Sequence, residues 1–165
     1  MELFDIVDSQ DTVIGTTDRK TAHTVGHLHR VAAVFVFNEA GELYVQRHLR
    51  DGKWDHSVGG HVSKGETYAE AAVREAEEEL GITQPLEELA TSLSGEEYPQ
   101  EQHLFGLYTC VAEPGWVFEP NDEVEVIFPM SLQAIRQAMI DEPEDRFTRG
   151  FRITMAEYDR LHNLS

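Results

Sequence analysis

Residues 60–82 contain the glutamates, arginine and glycines whose types and spacing are best suited to chemistry in this chain. On a helix over residues 67–80, neighbours on one face lie three and four positions apart, so Glu75, Glu78 and Glu79 share a face. Three like charges on one face repel each other unless a cation neutralises them. The spacing therefore predicts a divalent metal site on this helix.

A run of glutamates is also typical of a solvated helix face, so this simpler interpretation has to be weighed as well. Three details count against it. Gly59 and Gly60 precede the helix and indicate a close approach of the backbone to a ligand. Arg74 stands four residues before Glu78, where an ion pair can hold that carboxylate. Gly81 then ends the helix, and the coincidence of so many positions favours a metal site.

The same segment resembles the Nudix box, G-x5-E-x7-R-E-U-x-E-E-x-G-U, in which U is a bulky apolar residue. Every fixed position matches, and the two U positions hold Ala76 and Ile82. The resemblance implies the α/β/α sandwich fold. It also implies an enzyme that hydrolyses nucleoside diphosphates linked to another group. It also implies Mg²⁺ or Mn²⁺ bound by three carboxylates and one carbonyl: Glu75, Glu78, Glu79 and Gly59. Arg74 would be the orienting partner and Glu66 a residue that braces the loop.

Histidines cluster in the N-terminal half of the chain at His23, His27 and His29. On spacing alone, a solvent-facing loop is the favoured interpretation, because no convergent carboxylate accompanies them. However, residues 5–82, including VFNEAGELYVQR at 36–47, are similar to isopentenyl-diphosphate isomerases and their hydrolase relatives.

The isomerase resemblance implies a second metal cluster of three histidines and one acid: His23, His29, His61 and Glu101. His103 stands where those enzymes have another acid. The isomerases also carry a cysteine just before the box, whereas this chain has Gly59, which cannot give or take a proton. They relax the box glutamates, and this chain keeps every one. A hydrolase is therefore favoured over an isomerase, and a non-catalytic nucleotide-sensing module is the third alternative.

The implied mechanism is metal-assisted displacement at phosphorus, in which Mg²⁺ bridges the diphosphate and lowers the pKa of a bound water. A carboxylate must take the proton of that water. The candidates are one box acid and three loop acids, which also fit exposed loop positions: Glu79, Glu97, Glu101 and Glu123. Arg47 is expected to contact phosphate or to be a surface arginine. Trp54 is expected to stack on a base or prenyl tail, or to pack at the core edge.

Bulk properties predict a compact enzyme of one domain, residues 1–165, with the box at 60–82; the chain has 41% hydrophobic residues. The net charge of −18 disfavours extended nucleic acid as a partner but permits a small phosphorylated substrate. No run approaches the ~20 apolar residues of a membrane span, and the N-terminus lacks a signal-peptide pattern. Because Cys110 is the only cysteine, no internal disulfide is possible and a cytoplasmic location is expected. Its place in the apolar-rich run 104–111 predicts a buried structural thiol. Monomer and homodimer both remain open.

Hydrophobic patterning predicts alternating strands and helices, and hence an α/β (α+β) fold with a mixed central sheet. The expected strands are residues 3–7, 12–14, 30–38, 42–47, 86–93, 103–111 and 124–130. The expected helices are residues 18–25, 67–80, 132–140 and 155–164, with Thr17 and Ser131 capping the first and third. The apolar stripe of the second helix is expected at Ala69, Ala72, Val73, Ala76 and Leu80. Residues 94–102 and 112–124 are the loops expected to set substrate specificity.

Overall fold

The computed structural model describes residues 1–95, 98, 101–142 and 146–163. Its strands are β1 (Leu3–Val7), β2 (Val13–Asp18), β3 (His29–Phe37), β4 (Leu43–Arg47), β5 (Trp54–Asp55), β6 (Val58–His61), β7 (Glu87–Leu93), β8 (His103–Val111) and β9 (Ile127–Met130). Its helices are α1 (Arg19–Val25), α2 (Tyr68–Leu80), α3 (Leu132–Asp141) and α4 (Arg149–Leu161). Within the described ranges, every helix is too short or too polar to cross a membrane. Glu97, one of the expected loop acids, lies outside the described residues.

The central sheet is mixed, as the sequence predicts, and β3 lies in its middle. Its strand order is β5-β4-β3-β8-β7, while β6 also pairs with β3 and β9 with β4. β3 runs parallel to β8 in continuous register, from His29 opposite His103 to Phe37 opposite Val111. Its pairs with β4 and β6 are antiparallel. This register places two histidines side by side at one end of the sheet.

Successive side chains of β3 pack on opposite faces of the sheet, because a strand repeats every two residues. Alternate residues from 32 to 36 join the core under α2, which includes Ala72. Those from 33 to 37 join the core under α3 and α4, which includes Ile135 and Phe151. Helices therefore cover both faces, which confirms the α/β/α sandwich.

Helix α2 has strong signals at both ends. Thr67 and Glu70 form a capping box, in which each side chain accepts a hydrogen bond from the backbone N–H of the other. Gly81 follows the last turn with φ of 64°, a left-handed conformation that glycine adopts at little cost. The predicted limits of this helix are confirmed to within one residue because these end signals are local.

The buried face of α2 differs from the predicted stripe. Val73 is 53% exposed, and Ala69 also faces solvent, whereas Ala71 is buried. Glu75 and Glu79 are each only 8% exposed. The helix therefore buries two of its glutamates against the sheet, which a hydrophobic pattern cannot reveal.

Two helix starts also differ from the prediction. Asp18, and not Thr17, caps α1, since its carboxylate accepts the first-turn hydrogen bond. Helix α4 begins at Arg149 rather than Met155, because Thr148 provides the cap. The glycine, phenylalanine and β-branched residues in its first turns have low helix propensity, so the sequence does not indicate a helix there.

Candidate active site

Gly60, in β6, lets the glutamate helix approach the sheet. A Cβ at this position would lie 2.1 Å from Glu75 Cδ, far inside any ordinary contact distance. Gly59 is different, because a Cβ there would meet His56 Nδ1 at 3.6 Å, which is ordinary contact. The close approach indicated by the glycine pair is therefore made by a carboxylate of the protein itself, and it requires glycine at position 60.

Arg74 connects the carboxylates around α2. Its Nε and Nη2 donate to the two oxygens of Glu66, at 2.9 Å each, and Nη1 donates to Glu75 Oε1 at 2.7 Å. The predicted contact with Glu78 is present but longer, at 3.3 Å. Glu66 also accepts from Ser63 N at 2.9 Å, which ties it to the loop before the helix. The Arg74 guanidinium lowers the pKa of Glu66 and keeps this carboxylate ionised.

Three carboxylates converge beside α2, and one of them comes from a distant loop. Oxygens of Glu75, Glu78 and Glu123 all lie within 4.8 Å of one another. Asn121 holds this loop in place, since it donates to a carbonyl in the last turn of α2 at 2.8 Å and accepts from Glu123 N at 2.9 Å. Burial raises the pKa of Glu75, and Arg74 opposes that shift. Converging carboxylates repel one another without a cation, so this group fits Mg²⁺ or Mn²⁺.

Glu79 lies beside this group but outside it, although the box resemblance makes it a metal ligand. Its Oε2 accepts from Gln46 Nε2 at 2.8 Å and from Gly59 N at 3.4 Å. Burial raises the pKa of Glu79 to about 8, against the opposing hydrogen bond from Gln46. A carboxylate that titrates near neutral pH is suited to accept and release a proton. Glu123, a candidate base in the sequence, lies instead with the carboxylates that fit a metal.

Four histidines form a compact cluster where α1, β3, β6 and β8 meet. One ring nitrogen from each of His23, His29, His61 and His103 lies within 4.8 Å of the others. In the part of the chain that the structure describes, three buried Nε2 atoms have no hydrogen-bond partner: those of His29, His61 and His103. Buried polar atoms are costly to leave unpaired, so this cluster fits a metal ion.

The partners of these histidines differ from those expected. His29 Nδ1 donates to His27 O at 2.8 Å, which leaves Nε2 as a bare acceptor. Glu101 accepts a hydrogen bond from His103 Nδ1 and is therefore a partner of the cluster, whereas His103 is a member. The reason is the β3–β8 register, which places His103 opposite His29. Burial lowers the pKa of His29 to about 4 and of His61 to about 3, so both rings are neutral at pH 7, as metal ligands must be.

An open cavity of about 970 Å³ borders both the acidic group and the histidine cluster. Its lining includes cations for which the sequence has no evident signal: Arg19, Arg50, Lys53 and Arg149. They come from two helix starts and one turn, so no fixed spacing relates them to the box. Arg47, the predicted phosphate contact, is exposed and lines a smaller adjoining cavity of about 420 Å³ with Glu123 and Glu125. Carboxylates and cations that face one cavity can bind a metal and phosphate groups together.

A hydrogen-bond network in the wall of the cavity joins β5 to α4. Asp55 Oδ1 lies 2.6 Å from His56 Nδ1 and accepts from Thr148 Oγ1 at 2.9 Å, while Oδ2 lies 3.3 Å from His48 Nε2. His56 Nε2 is 2.8 Å from Thr154 Oγ1 in α4. Burial alone would raise the pKa of Asp55, but the charge of His56 and these hydrogen bonds outweigh it and lower the pKa. The network fixes one wall of the cavity.

Trp54 packs at the edge of the core. Its ring meets Phe128 and Phe147 edge-on, with centroids 5.3 Å apart in each case, and Arg146 lies over it at 4.5 Å. These contacts favour the packing interpretation over stacking on a ligand.

Cys110 is half-buried, and burial raises the pKa of its thiol to about 11, which agrees with a structural role.

Comparison with known proteins agrees with the geometry. The NUDIX domain family model matches residues 27–151. An uncharacterized Nudix hydrolase of Yersinia pestis is 36% identical over 145 residues, which cover 81% of this chain and 77% of that protein. An isopentenyl-diphosphate Delta-isomerase of Pectobacterium atrosepticum is 30% identical over 159 residues, which cover 92% of this chain and 88% of that protein. Among solved structures, a hypothetical Nudix protein of Deinococcus radiodurans is similar with a TM-score of 0.71, 26% identity and coverage of 89% of this chain and 92% of that chain.

Proposed function

Because this chain belongs to the Nudix family, we propose that it is a Mg²⁺- or Mn²⁺-dependent pyrophosphohydrolase. It cleaves the diphosphate linkage of a nucleoside diphosphate derivative or a similar small phosphorylated metabolite. The family supports a hydrolase that acts on diphosphate linkages, and the side chains support the choice of metal and substrate. One observation carries the proposal: Glu75, Glu78 and Glu123 converge within 4.8 Å at a cavity that arginines and a lysine also line.

The carboxylates divide into ligands and a proton acceptor. Glu75, Glu78 and Glu123 would hold the metal, with the Gly59 carbonyl as the further ligand that the box implies. Mg²⁺ bound there would polarise the diphosphate and lower the pKa of a bound water. Glu79 Oε2 accepts hydrogen bonds from two uncharged donors, and the residue lines the same cavity. We therefore propose that Glu79 accepts the proton of the attacking water.

Cationic side chains organise the rest of the site. Arg74 orients Glu75 and Glu78, and Glu66 holds Arg74 through two parallel hydrogen bonds. The phosphates are bound by the cations that line the large cavity: Arg19, Arg50, Lys53 and Arg149. Arg47 would contact only a part of the substrate that extends into the smaller cavity. Local cations of this kind permit a small anionic substrate despite the net charge of −18.

We further propose that the histidine cluster is a second metal centre. Four imidazole nitrogens favour Zn²⁺ or another transition metal over Mg²⁺, which prefers oxygen. His29 Nδ1 donates to the His27 carbonyl and His103 Nδ1 donates to Glu101, which supports this, because ligating histidines are held through their second nitrogen. Such an ion would also hold α1, which contributes His23, against the sheet.

The histidine cluster is also the observation that favours isomerase activity as a second candidate function. Gly59 counts against it, since glycine offers no group for proton transfer beside the box. We expect no deuterium to enter isopentenyl diphosphate incubated with the protein in deuterated water. Incorporation above a protein-free control would place isomerase activity ahead of hydrolysis.

The decisive experiment is hydrolysis of a panel of nucleoside diphosphates and diphosphosugars with Mg²⁺, comparing Glu78→Gln with the matched control Glu77→Gln. Glu77 is exposed on the same helix and lies outside the converging carboxylates. We expect at least one substrate to be cleaved, and Glu78→Gln to lose about 100-fold or more in kcat with its fold intact. Binding of a substrate without turnover by the wild type would identify a nucleotide-sensing module instead.

The second metal centre is tested by metal analysis of the purified protein after exposure to Zn²⁺ and dialysis. We expect the bound Zn²⁺ to fall in His103→Ala and to be retained in the control His162→Ala, whose ring stacks on Tyr158 away from the cluster. Equal Zn²⁺ content in both variants would contradict the assignment.

We propose that residues 1–165 form one domain. Phe4 of the N-terminal hairpin is fully buried and stacks on His29 and His61, with centroids 5.5 and 4.7 Å away. The hairpin therefore shares the core of the segment that the family model matches. A cytoplasmic location and the choice between monomer and homodimer stay predictions.

A further inference from the structure

Gln46 is a buried polar residue of β4 that the Nudix box does not include. Its side chain is 8% exposed, and its Nε2 lies 2.7 Å from Ser57 O and 2.8 Å from Glu79 Oε2. Both neighbours are acceptors, so both N–H groups of the amide are used. The opposite amide orientation would place the Gln46 oxygen against the Ser57 carbonyl, which can only accept, and this excludes it. The orientation of Gln46 is therefore determined by its surroundings.

The support of Gln46 is itself rigid. Ser57 is fully buried, its Oγ donates to Tyr44 O at 2.6 Å, and the same oxygen accepts from Val36 N at 2.9 Å. These bonds tie the segment after β5 to β3 and β4. Gln46 thus connects one carboxylate of α2 to a segment that is hydrogen-bonded to β3 and β4.

Glu79 is held differently from the other acids of the site. Arg74 contacts Glu66, Glu75 and Glu78, whereas Glu79 Oε2 is engaged by the Gln46 amide and, at 3.4 Å, by the Gly59 N–H. The hydrogen bonds found among the described residues use Oε2, and Oε1 is the oxygen left for the cavity that Glu79 lines. An uncharged donor can fix the direction of a carboxylate without joining it to the arginine network.

We infer that Gln46 is a positioning residue of the active site, which fixes the rotamer of Glu79 so that Oε1 faces the reacting groups. This inference rests on the proposed hydrolase function. Gln46 lines only the smaller adjoining cavity, and both hydrogens of its amide are engaged by Ser57 O and Glu79 Oε2, so it acts on the reacting groups through Glu79. Its loss should therefore reduce kcat and leave KM nearly unchanged. A misplacement of about 1 Å in a reacting group can cost about 100-fold in rate.

The test compares two substitutions of different kinds with a matched control. Gln46→Met keeps the volume but removes both donors, and Gln46→Glu keeps the shape but replaces the amide with a second carboxyl group against Glu79. Gln84→Glu is the control, because the Gln84 amide also donates to a backbone carbonyl but lies beyond the end of α2 and outside the lining of both cavities. For each variant kcat, KM, Mn²⁺ affinity and the melting temperature are measured.

We expect both Gln46 variants to lose about 10- to 100-fold in kcat, with KM within about threefold of wild type. Gln84→Glu should keep the wild-type kcat. A purely structural role would lower the melting temperature and the fraction of active enzyme while each folded molecule kept its turnover. Folded Gln46 variants with kcat within about threefold of wild type would overturn the inference.

A structural measurement separates this inference from the proposed function. Crystal structures of wild type and Gln46→Met, with and without Mn²⁺, show whether Glu79 keeps its rotamer. We expect the carboxylate to rotate away from residue 46 and the Gly59 N–H in the variant. If the wild type hydrolyses no diphosphate, the proposed function fails, and an unchanged Glu79 rotamer would still reject the role of Gln46 independently.

Discussion

Replacement of Gly60 by alanine tests the geometry on which the acidic site depends. The new Cβ would lie 2.1 Å from Cδ and 2.2 Å from Oε1 of Glu75, whereas ordinary contacts begin at 3.4 Å. The Glu75 carboxylate would therefore have to retreat by more than an ångström. It cannot do so without leaving Arg74, whose Nη1 it now meets at 2.7 Å.

The expected cost has a structural and a catalytic part. Overpacking of a close contact costs about 1–3 kcal/mol in the free energy of unfolding. For a chain of this size, each kcal/mol lowers the melting temperature by about 2–4 °C. Displacement of a ligand carboxylate by about 1 Å should lower kcat by about 100-fold. Mn²⁺ affinity should fall with it, because Glu75 would leave the group it forms with Glu78 and Glu123.

The assay combines urea denaturation, Mn²⁺ binding by electron paramagnetic resonance and steady-state hydrolysis. Gly59→Ala is the matched control, since its Cβ meets only His56 Nδ1 at 3.6 Å and the substitution keeps the backbone carbonyl. We expect it to cost at most about threefold in kcat. In a Glu75→Ala background, Gly60→Ala should cost little further stability, because the colliding side chain is gone.

Two results would refute this reasoning. The first is a Gly60→Ala protein that keeps kcat and Mn²⁺ affinity within about threefold of wild type. The second is the same loss of stability for Gly60→Ala in both backgrounds, which would show that the backbone conformation matters and the Glu75 collision does not.

Arg74→Lys should lower kcat about 10- to 100-fold, because lysine cannot reproduce the paired contacts with Glu66; retained activity in steady-state assays would contradict this. Metal-free protein should lose stability between pH 7 and pH 5. His29 and His61 have folded pKa values of about 4 and 3, below the unfolded 6.5, so only the unfolded chain gains protons there. The free energy of unfolding should fall by about 1–2 kcal/mol per histidine, and a flat urea-denaturation profile would be inconsistent with this. Thr67→Ala should cost about 1 kcal/mol of stability with unchanged kcat, since it removes only the α2 cap.

Several outcomes show how far local sequence information extends. Strand β8 has its predicted bounds, and Ser131 caps α3 as expected, because alternation and capping depend on neighbouring residues. The stripe of α2 was wrong at Ala69 and Val73, because the face that packs against the sheet carries Ala71, Glu75 and Glu79 instead. The start of α4 was wrong because the glycine, phenylalanine and β-branched residues in its first turns have low helix propensity.

The sequence by itself determined the family, the sandwich fold and the glutamate-bearing helix. These follow from spacings within a few turns of one segment, which a linear pattern records in full. Only the tertiary structure decided that Glu123 joins Glu75 and Glu78, that His103 replaces Glu101 in the histidine cluster, and that Gln46 holds Glu79. Each of these contacts joins residues from separate strands, helices or loops. Sheet register and loop packing bring them together, and neither is encoded in a fixed distance along the chain.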